Sequence, residues 1–223
     1  MIPWELMGSS EIPGNGGNIR LYRRGKEFSI RVDRQELMNS KTHGSEEALA
    51  TLACAKISGH SSPVVLIGGL GMGFTVEAAL RQLGPDGRVV VAELVPAVVQ
   101  WNRGPLAELA NRPLYDGRVT VHETDVAILI QTGQETYDAI LLDVDNGPEG
   151  LTSKDNNRLY STAGLKSAFA ALKPAGVLAV WSAAPDQAFT KRLTKTGFKV
   201  EEVHVRARGR SGGGHHTIWV AVR

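Results

Sequence analysis

The sequence predicts an α/β fold built on one doubly wound, mostly parallel sheet. Three observations carry this expectation: near-continuous Val/Ile/Leu runs, helix-length segments alternating with them, and a glycine-rich loop directly after the first run. The 223 residues suit one such domain with a short additional segment. Hydrophobic residues make up 42% of the chain and charged residues 22%, enough apolar material for a real core. The formal net charge of +2 gives no electrostatic case for a nucleic-acid partner. A single cysteine, Cys54, excludes an internal disulfide and a cysteine-based metal cluster; its Ala/Leu-rich helical surroundings make it a buried core thiol. The start of the chain has no basic region followed by an apolar stretch, and no apolar run approaches membrane length. The expectation is a cytoplasmic protein with no membrane partner.

In chain order, residues 1–17 are rich in Gly, Pro and Ser and read as an arm. Over 18–33, IRLYRR and EFSIRVD flank Gly25-Lys26, and apolar Ile19, Leu21, Phe28, Ile30 and Val32 alternate, which predicts a small β-hairpin. A helix is expected over 45–57, stopped by Gly59. These segments, 1–58, precede the main domain at 59–223. There the strand candidates are VVLIG (64–68), RVVVAEL (88–94), RVTVHE (118–123), YDAILLDV (137–144) and GVLAVWSA (176–183). Helices are expected at 73–83, 95–110, 125–132, 156–172 and 185–196. The ending departs from this rhythm. FKVEEVHVRA (198–207) and HTIWVAVR (216–223) are joined by a Gly-rich link without a helix, so an antiparallel pair closes the sheet. That ending resembles the class I S-adenosylmethionine methyltransferase architecture rather than the dinucleotide-binding one.

Ligands of open α/β sheets bind outside the carboxyl ends of the strands, where the strand order reverses. Gly68-Gly69-Leu70-Gly71-Met72-Gly73 stands at such a place, between the first strand and its helix. Glycines let a ligand approach the backbone, and helix N-terminal amides offer donors; the same residues also suit a tight turn. A dinucleotide fingerprint counted from Gly69 requires glycine where Phe74 stands, whereas Gly69, Gly71 and Gly73 follow G-x-G-x-G. Glu93 ends the second strand and is placed to accept hydrogen bonds from both ribose hydroxyls. Asp125 opens the helix after the third strand, where it can cap that helix, receive an adenine amino group, or do both. Asp143 ends the fourth strand beside the same crevice. Three strand ends, each with a carboxylate, form the constellation of an adenosyl-nucleoside pocket.

Clustered carboxylates also attract an ammonium and can accept its proton. Asp143, Asp145 and Glu149 provide such charge near the crevice, Glu46 and Glu47 add more if their helix folds over the mouth, and Asn146 can orient a substrate but not act as a base. The stretch 145–150 reads equally as a lid or as an ordinary loop. His215 and His216 are adjacent in a strand and point to opposite faces, so no shared metal is expected.

The segments SEEALATLA, VVLIGGLGMGFTVEAALR, VVVAELVPAVVQWNRGPLAELANRPLYDGRVTV, YDAILLDVDNGPEGL and LKPAGVLAVWS resemble the spermidine synthase-like group of the class I methyltransferase superfamily, over about 34–223. The resemblance implies a seven-stranded Rossmann-like sheet, S-adenosylmethionine or its decarboxylated form as cofactor, a small-molecule acceptor such as an amine, and a homodimer. It also implies cofactor contacts from Gly68, Gly69, Gly71, Gly73, Glu93, Asp125 and Asp143, and catalysis at Asp143, Asp145 and Asn146. Departures fall on the chemistry. Gly71 stands where spermidine synthases carry a loop aspartate, and the D-S-x-D-P-like pair is matched only at Asp143, with Asn146 at the second position and Asp145 displaced by one. The N-terminal β-region is shorter than usual for the group. Methyl transfer from S-adenosylmethionine to a small molecule is therefore the first expectation. Aminopropyl transfer to a polyamine is the second, and a non-catalytic nucleoside-binding or assembly role the third.

Overall fold

The computed structural model describes residues 2–14, 17–144, 156–207 and 212–223. The main sheet has seven strands: β5 (Val64–Gly68), β6 (Arg88–Glu93), β7 (Val119–Glu123), β8 (Tyr137–Leu142), β9 (Leu172–Ser182), β10 (Lys199–Arg206) and β11 (His215–Val222). Their order is β10-β11-β9-β8-β5-β6-β7. β5 pairs in parallel with both β6 and β8, and β8 with β9. β11 runs against both of its neighbours, which gives the closing antiparallel pair the sequence implies. The chain leaves β5 toward β6 and β7, then returns to the other side of β5 as β8. The order therefore reverses at β5/β8, and the carboxyl ends of β5, β6 and β8 open onto one crevice.

Burial explains the strand sequences. Every residue of β8 is buried, and Val65, Leu66 and Ile67 of β5 are sealed by helices on both faces. Asp138, the one charge in β8, accepts from the Val64 amide (2.7 Å) and Lys173 Nζ (2.7 Å) and lies 2.8 Å from His60 Nδ1. Burial alone would raise its pKa, but these partners hold it below the usual carboxylate range.

The helices are α1 (Gly44–Lys56), α2 (Phe74–Gln82), α3 (Pro96–Arg103), α4 (Val126–Thr132), α5 (Asn156–Leu159), α6 (Thr162–Ala171) and α7 (Gln187–Thr196). Two differ from the sequence expectation. The helix over 95–110 stops at Arg103, because Gly104-Pro105 breaks it, and 3-10 turns follow at Ala107–Ala110 and Pro113–Tyr115. The helix over 156–172 is divided at 160–161. Ser161 accepts from the Gly164 amide (3.1 Å) and caps a new helix, and Leu172 already pairs with Tyr137 as the start of β9.

The N-terminal hairpin is part of a larger unit. β1 (Glu5–Glu11), β2 (Asn18–Arg24), β3 (Glu27–Val32) and β4 (Gln35–Asn39) form a four-stranded antiparallel sheet in sequence order. β2–β3 is the hairpin read from the alternation; β1 lies in the segment that reads as an arm. Ile19, Leu21, Phe28 and Ile30 share one core with Leu49, Ala50 and Ala53 of α1 and with the main sheet. Cys54 is buried there, and burial pushes its thiol up to about 11. No helix among the described residues is long and apolar enough to cross a membrane.

Candidate active site

A cleft of about 590 Å³ lies over the carboxyl ends of β5, β6 and β8. Gly69 and Gly71 of the loop at 68–73 line its floor. The loop continues the ladder, with the Gly69 amide donating to Ala92 O (2.9 Å) and the Asp143 amide to Gly68 O (3.0 Å). Gly69 has φ +87°, and a Cβ there would fall 2.4 Å from Asp143 O. Only glycine fits. Gly71, at φ +52°, carries its carbonyl to Asn102 Nδ2 (2.8 Å).

Glu93 is 7% exposed at the end of β6. Its Oε2 accepts from the Leu70 amide (2.9 Å) and its Oε1 from the Val95 amide (2.8 Å). One carboxylate thus ties the glycine loop to the turn after β6. Burial raises its pKa, opposed by these backbone amides. Asp125 caps α4 through the Ala127 amide (2.8 Å) and also lines the cleft, so both roles read from sequence remain compatible.

Asp143 sits opposite, with Oδ2 accepting from Thr75 Oγ1 (2.7 Å). The cleft opens onto it, yet its surroundings are dense protein, and burial pushes its carboxyl up to about 6. Glu46 enters from the first turn of α1. It is 8% exposed, and burial together with the neighbouring Asp143 charge pushes it up to about 7. Two carboxyls that titrate near neutrality therefore face one cleft, a pattern suited to moving protons.

The sequence-derived residues divide clearly. Gly69, Gly71, Glu93, Asp125, Asp143 and Glu46 line the cleft together. Gly68 and Gly73 do not line it. A Cβ on Gly68 would meet Val126 at 2.9 Å, and one on Gly73 would meet Asn102 and Pro113 at 3.1 Å, so both serve close packing of the loop. Glu47 is corrected. One helical position from Glu46, it faces away from the cleft and meets His43 Nδ1 (3.0 Å) and Arg81 (3.9 Å). Asp145, Asn146 and Glu149 lie outside the described residues. No group of three or more His, Cys, Asp or Glu among the described residues is arranged to hold a metal ion.

Several lining residues escape sequence reasoning. The four-stranded sheet supplies one wall through Glu36 and Met38, joined by Ile12 just after β1, and β11 supplies His216 beside Trp181 of β9. Met38 reaches over the glycine loop. Its Sδ and Cε would each lie 2.9 Å from a Cβ on Gly71, so a side chain restored at 71 must displace Met38.

The spermine/spermidine synthase domain family matches residues 43–197. A spermidine synthase in complex with the transition-state analogue AdoDATO is similar in structure, with a TM-score of 0.75 and 18% identity, covering 97% of this chain and 72% of that one. A spermidine synthase from Thermotoga maritima gives a TM-score of 0.76 at the same identity and coverage. The O-methyltransferase TomG from Streptomyces achromogenes, in complex with SAM, gives a TM-score of 0.55 at 16% identity, covering 80% of each chain. At such identities these likenesses concern the fold. No curated protein matches the chain. The family match spans the glycine loop and the cleft carboxylates Glu46, Glu93, Asp125 and Asp143, from the start of α1 to the end of α7. The chain belongs to the spermine/spermidine synthase family, a family of transferases.

Proposed function

We propose that this protein transfers an aminopropyl group from decarboxylated S-adenosylmethionine to an amine. The observation that carries the reading is the charge of the cleft. Among its described residues, Glu36, Glu46, Glu93, Asp125 and Asp143 are acidic, and Arg158 is the one arginine or lysine. A decarboxylated donor presents a sulfonium and an ammonium, and the acceptor amine arrives as a second ammonium. All three are cations, and a carboxylate-lined cleft favours each. Intact S-adenosylmethionine would bring an additional carboxylate into the same field. The family match and the AdoDATO-bound neighbour support the same preference.

The transfer needs little from the protein beyond placement and a proton acceptor. The sulfonium leaves as a neutral thioether, so the leaving group needs no acid. Glu93 would hold the ribose and Asp125 the adenine edge. Asp143 and Glu46 would face the reacting arm and the acceptor, holding the amine in line with the carbon. Both must be ionised to serve, so the transfer rate rises with pH through about 6 to 7.

Methyl transfer is the second reading, and one observation favours it: Gly71 carries no carboxylate and Met38 packs over it, so the floor of the loop offers a donor ammonium no partner. Product analysis separates the two. With putrescine and equal concentrations of both donors, the expected products are spermidine and methylthioadenosine, identified by mass spectrometry. Formation of S-adenosylhomocysteine with a methylated amine, and no spermidine, overturns the reading.

A further inference from the structure

Three polar groups connect α1 to β11 along one side of the cleft, which Glu46 and His216 both line. Ser45 is fully buried, and its Oγ donates to Glu46 Oε2 at 2.7 Å. The same Oγ lies 2.9 Å from His216 Nδ1, across 171 residues of sequence. His216 is held by the edge of the Trp181 ring, with centroids 4.7 Å apart and planes at 70°. The start of α1 is pinned in this place because the Gly44 amide donates to Ala207 O (2.9 Å), at the end of β10. A buried hydroxyl bridging two titratable side chains is costly unless both contacts are made, and here both are.

We propose that Glu46, Ser45 and His216 form a proton relay that carries the proton of the attacking amine away from the reacting atoms to the β11 side of the cleft. The proposal rests on the amine-alkylating reading above and assigns its proton path. The acceptor enters as R–NH3⁺ and gives one proton to the Glu46 carboxylate. Its freed lone pair attacks the carbon beside sulfur. The C–N bond forms as the C–S bond breaks, and the electron pair leaves on the neutral thioether. Protonation of Glu46 reverses its hydrogen bond: Glu46 donates to Ser45 Oγ, the Ser45 hydrogen turns from Glu46 to His216 Nδ1, and the imidazolium formed releases its Nε2 proton to water. One proton enters the chain and one leaves; Glu46 and Ser45 are regenerated, and His216, left protonated at Nδ1, returns to its Nε2–H form by proton exchange with water.

The electrostatics suit each end. Glu46 faces Asp143 from the end of β8, has Glu47 and His43 on its own side, and shares the cleft with Arg158 of α5. Burial and Asp143 place its titration at about 7, close to neutral operation. Burial and the adjacent His215 lower the pKa of His216, which keeps its ring neutral and able to accept.

The test uses the full chain with decarboxylated S-adenosylmethionine and putrescine. Ser45→Ala is expected to lower kcat about tenfold or more, within the usual range of proton-transfer effects. The KM for putrescine and the calorimetric affinity for methylthioadenosine should stay within about twofold of wild type if the relay acts in proton transfer rather than binding. Ser45→Thr, which keeps the hydroxyl, restores the rate, and His216→Gln reproduces the loss. A second readout needs no turnover. The His216 imidazole titration followed by NMR should shift in both Glu46→Gln and Ser45→Ala. An unchanged kcat and pH profile in Ser45→Ala, or a His216 titration indifferent to both variants, overturns the relay. Coupled titration in a protein that alkylates no amine contradicts the functional reading and leaves the hydrogen-bonded chain standing.

Discussion

Glu46→Gln is expected to raise the melting temperature at pH 8 and to leave it nearly unchanged at pH 5. Burial and the Asp143 charge move the folded-state pKa of Glu46 from 4.5 to about 7. A carboxyl raised in this way contributes stability below its unfolded pKa and loses it as pH climbs through the folded value. Each tenfold change in proton affinity corresponds to about 1.4 kcal/mol, so the protein forfeits on the order of 3 kcal/mol between pH 5 and pH 8 through this residue. Glutamine matches the protonated acid in shape and still accepts from Ser45, so the variant avoids that loss. For a chain of this size the gain at pH 8 corresponds to roughly 5–10 °C. Asp143, raised by burial in the wild type, loses the neighbouring Glu46 charge in the variant, which makes it easier to ionise and adds to the gain at pH 8. Equal pH dependence of the two melting temperatures would show that Glu46 is not held in a proton-accepting state.

Glu93→Ala is expected to weaken binding of an adenosyl nucleoside by about 1.5–3 kcal/mol, tenfold to more than a hundredfold, on the scale of charged hydrogen bonds. Two effects act together. The ribose loses its acceptors, and the amides of Leu70 and Val95, now 2.9 and 2.8 Å from the carboxylate, lose theirs. The second effect reaches the glycine loop itself, since Leu70 stands between Gly69 and Gly71. Glu93→Gln keeps one carbonyl acceptor and sets an NH2 against one of the amides, so its loss is intermediate. Calorimetric titration with methylthioadenosine reads all three proteins, and an affinity unchanged in the alanine variant removes Glu93 from the nucleoside site.

The parallel strands were legible because burial on both faces demands unbroken Val/Ile/Leu runs, and VVLIG and YDAILL show them directly. The glycine loop was legible because the positive φ of Gly69 and Gly71 admits few other residues. Glu93 and Asp125 followed from strand ends, where the topology itself places ligands. The strand β1 was not legible. ELMGSSE has little β propensity of its own, and its pairing with β2, from Glu5↔Arg23 to Glu11↔Asn18, is supplied by the partner. The break after Arg103 did carry a signal in Gly104-Pro105, outweighed by the apolar periodicity on either side. The distinction between Glu46 and Glu47 depends on the rotation of α1 against the sheet, which adjacent identical residues cannot reveal. Contacts such as Ser45–His216 and Gly71–Met38 join distant segments through the tertiary fold, and no local pattern encodes them.

A cleft built for cations should discriminate between the two donors, and binding to the wild-type protein reads this directly. Calorimetric titrations with decarboxylated S-adenosylmethionine and with S-adenosylmethionine, at pH 8 and one ionic strength, present ligands that differ by a single carboxylate. Glu46 and Asp143 are both ionised there, above about 7 and about 6. Repulsion between that ligand carboxylate and a partly buried acidic cleft amounts to at least about 1.4 kcal/mol at intermediate dielectric. The decarboxylated donor is expected to bind about tenfold or more tightly, with the preference shrinking as pH falls toward 5. Equal affinity, or tighter binding of S-adenosylmethionine, contradicts a cation-selective cleft.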